Sequence, residues 1–301
     1  MADAKHKPLR EQVIVITGAS SGIGLATAEA AAAQGAKLVL AARSTETLRE
    51  IASRLSLQSG CEAIALTADA GRREDMQRLA AEAATHFGRI DTWVNDAGVS
   101  IYGRLDEVED ADSRRLFDTN FWGVVNGSLS ALPHLKASAG ALINVGSEVS
   151  DAVIPLQGMY SASKHAVKGF TDALRVEIEE MDKAPVTITL IQPTAVDTPF
   201  PQHARNYMDR EPKLPTPQIE PEDVAKAILK AATEGGRDIK VGAVAKINTL
   251  TAKIAPSLGD KLSAKQADRQ QYEEPPRHPE GTLYQPGQSG QVRGNGGATR
   301  H

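Results

Sequence analysis

Tyr160, Lys164 and Ser147 are the side chains of this sequence best suited to moving a proton. Tyr160 and Lys164 bracket the run Tyr-Ser-Ala-Ser-Lys, and Ala162, Ala166, Val167, Phe170 and Leu174 recur around them at helical spacing. A helix there puts the phenol and the ammonium one turn apart on one face. A cation so close favours the phenolate and lowers a tyrosine pKa from its usual ~10, so the phenol is expected to trade a proton near neutral pH. That suits carbonyl reduction, in which arriving hydride pushes charge onto oxygen and a phenol proton beside a hydroxyl relieves it. Ser147 offers the hydroxyl. Tyr-x-x-x-Lys alone also describes a half-exposed helix face, so the reading depends on its company.

The first such companion is the turn Thr17-Gly-Ala-Ser-Ser-Gly-Ile-Gly24, which follows the apolar run 13–17 and opens an alanine-rich amphipathic stretch over about 23–34. Between a strand and a helix, Gly18, Gly22 and Gly24 let backbone amides approach a pyrophosphate. The end of the next apolar run discriminates between dinucleotides, because a carboxylate there holds a ribose hydroxyl and a basic residue accommodates a phosphate. The chain has Ala41-Ala42-Arg43. With no carboxylate for the ribose and a guanidinium able to fork onto a 2′-phosphate, NADP(H) is expected over NAD(H); the competing reading of Arg43 is a solvated loop arginine.

The elements that must position these groups follow from the alternation of apolar runs and amphipathic stretches. Strands are expected at 13–17, 37–41, 63–66, 92–95, 141–145, 186–191 and 239–241, with helices between them, the long ones at 104–135 and 158–181. Ser44 is expected to cap the helix that runs to about Leu57. Short strands apolar throughout, each followed by a helix, imply a parallel sheet covered on both faces. The fold is therefore α/β and doubly wound, with ligands at the carboxyl ends of the strands, where Gly18, Asn95 and Ser147 would gather. Since the alternation does not stop at mid-chain, one domain over 11–244 is preferred to two, after a short extension at 1–10. The proline-rich interruption at 193–221 reads as a lid or substrate loop. Beyond it, Ile247, Leu250, Ile254, Leu258 and Leu262 suggest an amphipathic helical arm over 245–272, broken or kinked at Pro256. Such an arm packs on its own domain, on a sister subunit or on a membrane. The Pro- and Gly-rich stretch 273–301 has too little apolar surface to repay ordering and reads as a flexible tail.

Composition narrows the partners. The chain has 301 residues, 41% hydrophobic and 24% charged, with net charge -4, which fits a soluble globular protein without a basic surface for nucleic acid or anionic lipid. Met-Ala-Asp-Ala-Lys-His-Lys-Pro lacks an apolar signal core and no stretch approaches the ~18 apolar residues of a membrane span, so a cytoplasmic location is expected. The single cysteine, Cys61, permits neither an internal disulfide nor a cysteine metal cluster and reads as a small core residue.

Taken together the motifs resemble those of the short-chain dehydrogenase/reductase family over 13–241. Thr17 to Gly24 is similar to that family's cofactor turn, which implies cofactor contacts from Gly18, Ser20, Ser21, Gly22, Ile23 and Gly24. The resemblance likewise implies that Asp69 contacts adenine, that Asn95, Ala97 and Gly98 form a sheet-stabilising and cofactor-facing motif, and that Asn120 anchors a proton-relay water. Ser147, Tyr160, Lys164 match the remaining catalytic positions: Tyr160 as general acid or base, Lys164 on the nicotinamide ribose, Ser147 on the substrate carbonyl. The segment 193–198 resembles the border of the nicotinamide site, with Pro193, Val196 and Thr198 contributing. What this implies is a single Rossmann-type domain with a seven-stranded parallel sheet, an NADP(H)-dependent interconversion of a carbonyl and a secondary alcohol, and a homo-oligomer joined through the long helices 104–135 and 158–181.

Three departures from the family pattern stand out. Asp96 replaces a commoner asparagine and brings a carboxylate near the cofactor, Thr194 replaces a glycine at a turn where φ > 0 suits β-branched residues poorly, and Gly146 stands where serine is frequent. Asp69 has a second reading, as cap of a helix beginning near Arg72. His203 and Arg205 either grip an anionic substrate or are solvated, and Phe200, Tyr207 and Met208 either line an apolar pocket or seat the lid. A dinucleotide-binding sensor acting through the C-terminal arm is the alternative to an enzyme. The substrate's identity and the direction of reaction are not set by residue types.

Overall fold

Five strands of the computed structural model are buried along all or most of their length, because successive side chains point to opposite faces and both faces meet helices. The structure describes residues 6–243, 257, 263–264, 267–287 and 290–294. Chain order is β1 (Val13–Thr17), α1 (Gly22–Ala32), β2 (Lys37–Ala42), α2 (Thr45–Ser59), β3 (Ala63–Thr67), α3 (Arg73–Phe87), β4 (Thr92–Asn95), β5 (Ile101–Tyr102), α4 (Asp110–Phe117), α5 (Gly123–Ser138), β6 (Ala141–Val145), α6 (Gly158–Arg175), β7 (Thr187–Pro193), α7 (Phe200–His203), β8 (Arg205–Asn206), α8 (Pro221–Glu234) and β9 (Asp238–Val241). Seven strands form one parallel sheet in the order β3-β2-β1-β4-β6-β7-β9, the doubly wound, Rossmann-type arrangement.

Ile14 and Ile16 face one side with Leu38, Leu40, Leu25 and Leu48, while Val13 and Val15 face the other with Trp93, Leu79 and Met76. Two apolar layers therefore clamp the sheet. Its register aligns Thr17 with Ala41 and with Asn95, and Asn95 with Asn144. Four adjacent strands thus end at one level, and the chain leaves each of them into the same cleft.

The helix expected over 104–135 is divided. Residues 104–109 form turns, with the Glu109 amide donating to the Tyr207 hydroxyl instead of entering a helix, and α4 begins at Asp110. Between α4 and α5 a π-helical turn, Asp118–Trp122, widens the hydrogen-bond ladder, and another, Val176–Met181, ends α6. The two-residue strands β5 and β8 pair in parallel and tie the lid to the body. The expected arm falls mostly outside the described residues. The stretch read as a flexible tail is described over 273–287 and 290–294, where it follows the lid: Glu211 N donates to Glu274 O at 2.8 Å, Asn206 N to Pro279 O at 2.8 Å and Thr282 N to His203 O at 2.8 Å. Among the described residues no helix is long and apolar enough to cross a membrane.

Candidate active site

Helix α6 presents Tyr160 and Lys164 to the cleft, and the loop after β6 brings Ser147 to meet them. The Ser147 and Tyr160 hydroxyls both face the cavity, close enough for Ser147 to favour the phenolate. Lys164 Nζ donates to the Val145 carbonyl at 2.9 Å and lies 5.7 Å from the Tyr160 ring centre. The expected depression of the phenol is not what this geometry produces. Burial raises the Tyr160 pKa well above its usual value, the Ser147 side chain opposes this, and Asp96 and Glu148 add to it. Burial likewise lowers Lys164 to about 8, against the pull of Asp96. At neutral pH Tyr160 therefore holds its proton, the state a proton donor needs.

Ser147 sits at the N-cap of a short 3-10 turn, Glu148–Ser150, its Oγ accepting from Val149 N at 3.3 Å while Ser150 Oγ accepts from Ser147 N at 3.2 Å. This explains the departure at Gly146: a Cβ there would stand 2.9 Å from Ser150 Oγ and 3.1 Å from Leu190 Cδ1. The other departures also have local causes. Thr194 does not adopt positive φ, and its Oγ1 donates to Glu148 Oε1 at 3.0 Å, anchoring the residue beside Ser147. The Asp96 carboxyl group packs against Gly24, where a Cβ would stand 2.8 Å from its Oδ2, and desolvation raises its pKa to about 8 despite Lys164.

One continuous cavity joins this group to the glycine turn. Gly18, Ser20, Ser21, Gly22, Ile23, Arg43, Asp69, Ala97, Gly98, Ser147, Tyr160, Lys164, Pro193, Val196 and Thr198 all line it. Three expected site residues do not, and each has a supporting task. Gly24 packs so tightly that a Cβ would lie 2.4 Å from the Gly18 carbonyl oxygen. Asn95 lies in a buried network, donating to Asn144 Oδ1 at 2.9 Å and Ser128 Oγ at 3.1 Å and accepting from the Trp93 indole at 2.7 Å. Asn120, in the first π-helical turn, donates to Val99 O at 2.9 Å and Ser163 Oγ at 3.1 Å and accepts from Val99 N at 2.8 Å. These bonds lock the 95–100 loop to α6.

The cavity suits a dinucleotide. Ser44 Oγ and Thr119 Oγ1 are buried on its wall with no partner among the described residues, as ligand-facing groups are. Ser44 stands at the N-cap of α2 as expected but makes no side-chain cap bond. Sequence reasoning missed Thr17 as a positioning residue: its Oγ1 accepts from Asp96 N at 3.1 Å and Ala97 N at 3.2 Å, pinning that loop against the glycine turn. It also missed Arg115, which arrives from α4 and donates to Asp69 Oδ2 at 2.6 Å. Asp69 Oδ1 accepts from Gly71 N at 3.0 Å, whereas Arg72 holds the N-cap position of α3, so the cap reading of Asp69 fails.

The lid closes the substrate end. Phe200 packs with its ring centre 5.4 Å from that of Tyr160, and Ile154, Val149, Leu214, Pro215 and His203 complete an apolar wall. Tyr207 and Arg205 instead seat the lid, both donating to Asp112, at 2.7 and 3.0 Å. Burial and nearby Arg43 lower the His203 pKa, which suits a neutral imidazole rather than an anion grip.

Known proteins share this arrangement. The short chain dehydrogenase family matches residues 12–209. An uncharacterised oxidoreductase, YxnA, of Bacillus subtilis is 45% identical over 288 residues, covering 94% of this chain and 80% of the relative. The 11-beta-hydroxysteroid dehydrogenase A of Sesamum indicum is 34% identical over 236 residues, 75% of this chain and 67% of the relative. Among solved structures, a short chain dehydrogenase/reductase from Burkholderia phymatum in complex with NAD has TM-score 0.74 at 27% identity, covering 86% of this chain and 96% of its own. An alcohol dehydrogenase from Thermococcus sibiricus complexed with 5-hydroxy-NADP has TM-score 0.67 at 28% identity, covering 76% and 94%. With its sheet order, glycine turn and Ser147, Tyr160 and Lys164 on one cavity, the chain belongs to the short-chain dehydrogenase/reductase family of oxidoreductases.

Proposed function

We propose that the protein interconverts an apolar carbonyl compound and its secondary alcohol with NADP(H), Tyr160 serving as general acid in reduction and general base in oxidation. The observation that carries this is that Ser147, Tyr160 and Lys164 line one cavity together, at the junction of its glycine-turn end and the apolar wall formed by Phe200, Leu214 and Ile154. The nicotinamide ring, when bound, supplies or accepts the hydride. Tyr160 donates its proton to the carbonyl oxygen, Ser147 hydrogen-bonds the same oxygen, and Lys164 holds the ribose and offsets charge as the phenol gives up its proton. Asn120 keeps a relay water in reach of Lys164, so that solvent restores the proton. Gly18, Gly22 and Gly24 admit the pyrophosphate, Asp69 the adenine, and Pro193, Val196 and Thr198 the carboxamide side.

Preference for NADP(H) rests on Arg43, with Arg115 as a second cation nearby and Asp69 already engaged by it. Exposed apolar side chains on the α5 and α6 side, Trp122, Leu129, Val176 and Met181, support a homo-oligomer joined there. The test is purified protein with NADPH or NADH on a panel of apolar ketones and aldehydes, following nicotinamide absorbance. NADPH-dependent turnover abolished by Tyr160→Phe is expected; failure on the whole panel in both directions would defeat the proposal.

A further inference from the structure

The two groups best placed to hold the cofactor's phosphates are already holding the protein's own C-terminal segment. Arg43 Nη1 donates to Leu283 O at 3.1 Å, and Nη2 donates to Thr282 O and to Gln285 O, the latter at 3.4 Å. A guanidinium has two bidentate edges, Nε with Nη2 and Nη1 with Nη2, so Nη2 belongs to both. With both Nη2 hydrogens given to carbonyls, neither fork is open to a phosphate. At the pyrophosphate position Gly22 N, in the first turn of α1, donates to Gln291 O at 2.9 Å, a bond that either dinucleotide must displace and that does not discriminate between them.

The segment is seated by more than these bonds. Leu283 is fully buried beside Val99, Ile101 and Leu116, Tyr284 OH donates to Asp112 Oδ1 at 2.8 Å, and Arg293 pairs with Glu220 and Glu222 at 2.9 and 2.8 Å. Gly281, at φ +54, passes so near the lid that a Cβ would meet Ala204 O at 2.3 Å. Thr282, Pro286 and Gly287 line the cofactor cavity itself.

The Leu283 carbonyl also accepts from Arg115 Nε at 3.2 Å, so two guanidiniums converge on one neutral oxygen. A phosphate dianion in the same place would complement them better than a carbonyl dipole does, because it sets opposite charges, and a bidentate acceptor, against the two guanidiniums. Resting on the nucleotide reading of the site, we propose that the residues 282–287 and 290–294 form a selectivity strap whose carbonyls stand in for phosphate oxygens, so that docking of the strap and capture of a 2′-phosphate by Arg43 exclude one another. NAD(H), which has no 2′-phosphate, makes no claim on Arg43 and leaves that latch closed. The strap therefore lowers the preference for NADP(H) that Arg43 would otherwise confer.

The test is titration of the full chain with NADPH and with NADH, followed by nicotinamide fluorescence, in wild type, Leu283→Ser and Gly281→Ala. Leu283→Ser removes the buried anchor, and Gly281→Ala drives the strap off the Ala204 carbonyl without touching the cavity. Both are expected to tighten NADPH binding about tenfold, equivalent to ~1.4 kcal/mol, while NADH changes less than about threefold. Tyr284→Phe, which deletes one part-buried hydrogen bond, should move NADPH the same way by a smaller factor. NADPH binding that is unchanged or weakened in these variants, with wild type binding normally, would overturn the strap alone. Failure of wild type and all variants to bind either dinucleotide would instead overturn the nucleotide reading, and the strap with it.

Discussion

Gly24→Ala is the smallest change that should disable the cofactor turn, and the structure sets its size. The added methyl carbon would stand 2.4 Å from the Gly18 carbonyl oxygen and 2.8 Å from Asp96 Oδ2. An ordinary contact is about 3.4 Å or more, so α1 and the turn must separate by about 1 Å. The Gly18 oxygen is backbone and cannot rotate away, and the turn is pinned on its far side, where a Cβ on Gly18 would already meet Ala97 N at 2.8 Å. Overpacking of this kind costs roughly 1–3 kcal/mol of stability, and a displacement of about 1 Å at a binding turn costs on the order of 10²-fold in function. Gly169→Ala is the control: Gly169 lies exposed in α6 with nothing within 4 Å of a new Cβ. There alanine should stabilise by about 0.5–1 kcal/mol through helix propensity alone. Thermal unfolding and NADPH titration on both variants make the comparison. Unaltered cofactor affinity and melting temperature in Gly24→Ala would refute the argument from close approach.

Other expectations follow from the same geometry. Asp96 keeps its proton to about pH 8 when folded but loses it near 3.8 when unfolded, so between those values the folded state binds more protons and rising pH favours unfolding. The stabilisation of Asp96→Asn over wild type should therefore grow from pH 4 to pH 8 and level off above; a pH-independent difference in melting temperature would contradict the assignment. Asn95→Ala strands the Trp93 indole and breaks the bond to Asn144, which should cost about 2–4 kcal/mol in urea unfolding; a loss below ~1 kcal/mol would show the network to be dispensable. Phe200→Ala, opening the wall beside Tyr160, should raise KM for apolar carbonyls about tenfold with little change in NADPH affinity, and equal effects on both would place Phe200 elsewhere in the mechanism.

How much of this was legible beforehand depends on where the information resides. The five inner strands are largely apolar because both faces are covered, and that is written in residue types. The π-helical turn that carries Asn120 is not, since shifting a hydrogen-bond ladder by one residue needs no particular side chain. Nor are β5 and β8, each only two residues long. Tyr160 and Lys164 could be paired from their spacing, but the direction of the phenol's shift depends on burial by the lid and the 95–98 loop, which spacing does not report. The C-terminal stretch read as flexible because few of its side chains are apolar. It docks through backbone carbonyls, one leucine, Leu283, and the polar ends of Tyr284 and Arg293, which composition weighs lightly. Arg115 lies 46 residues from its partner Asp69, so only the folded chain joins them.

The central claim is that Tyr160 transfers the proton and does not merely shape the site. Single-turnover hydride transfer from NADPH to a reactive ketone, measured for wild type and Tyr160→Phe beside NADPH titrations of both, tests it most directly. Phenylalanine keeps the ring against Phe200 and removes only the hydroxyl. The transfer rate should fall by about 10²–10⁴, with NADPH affinity within about threefold of wild type. A rate within tenfold of wild type, or a fall matched by lost cofactor binding, would contradict the assignment of Tyr160 as the acid.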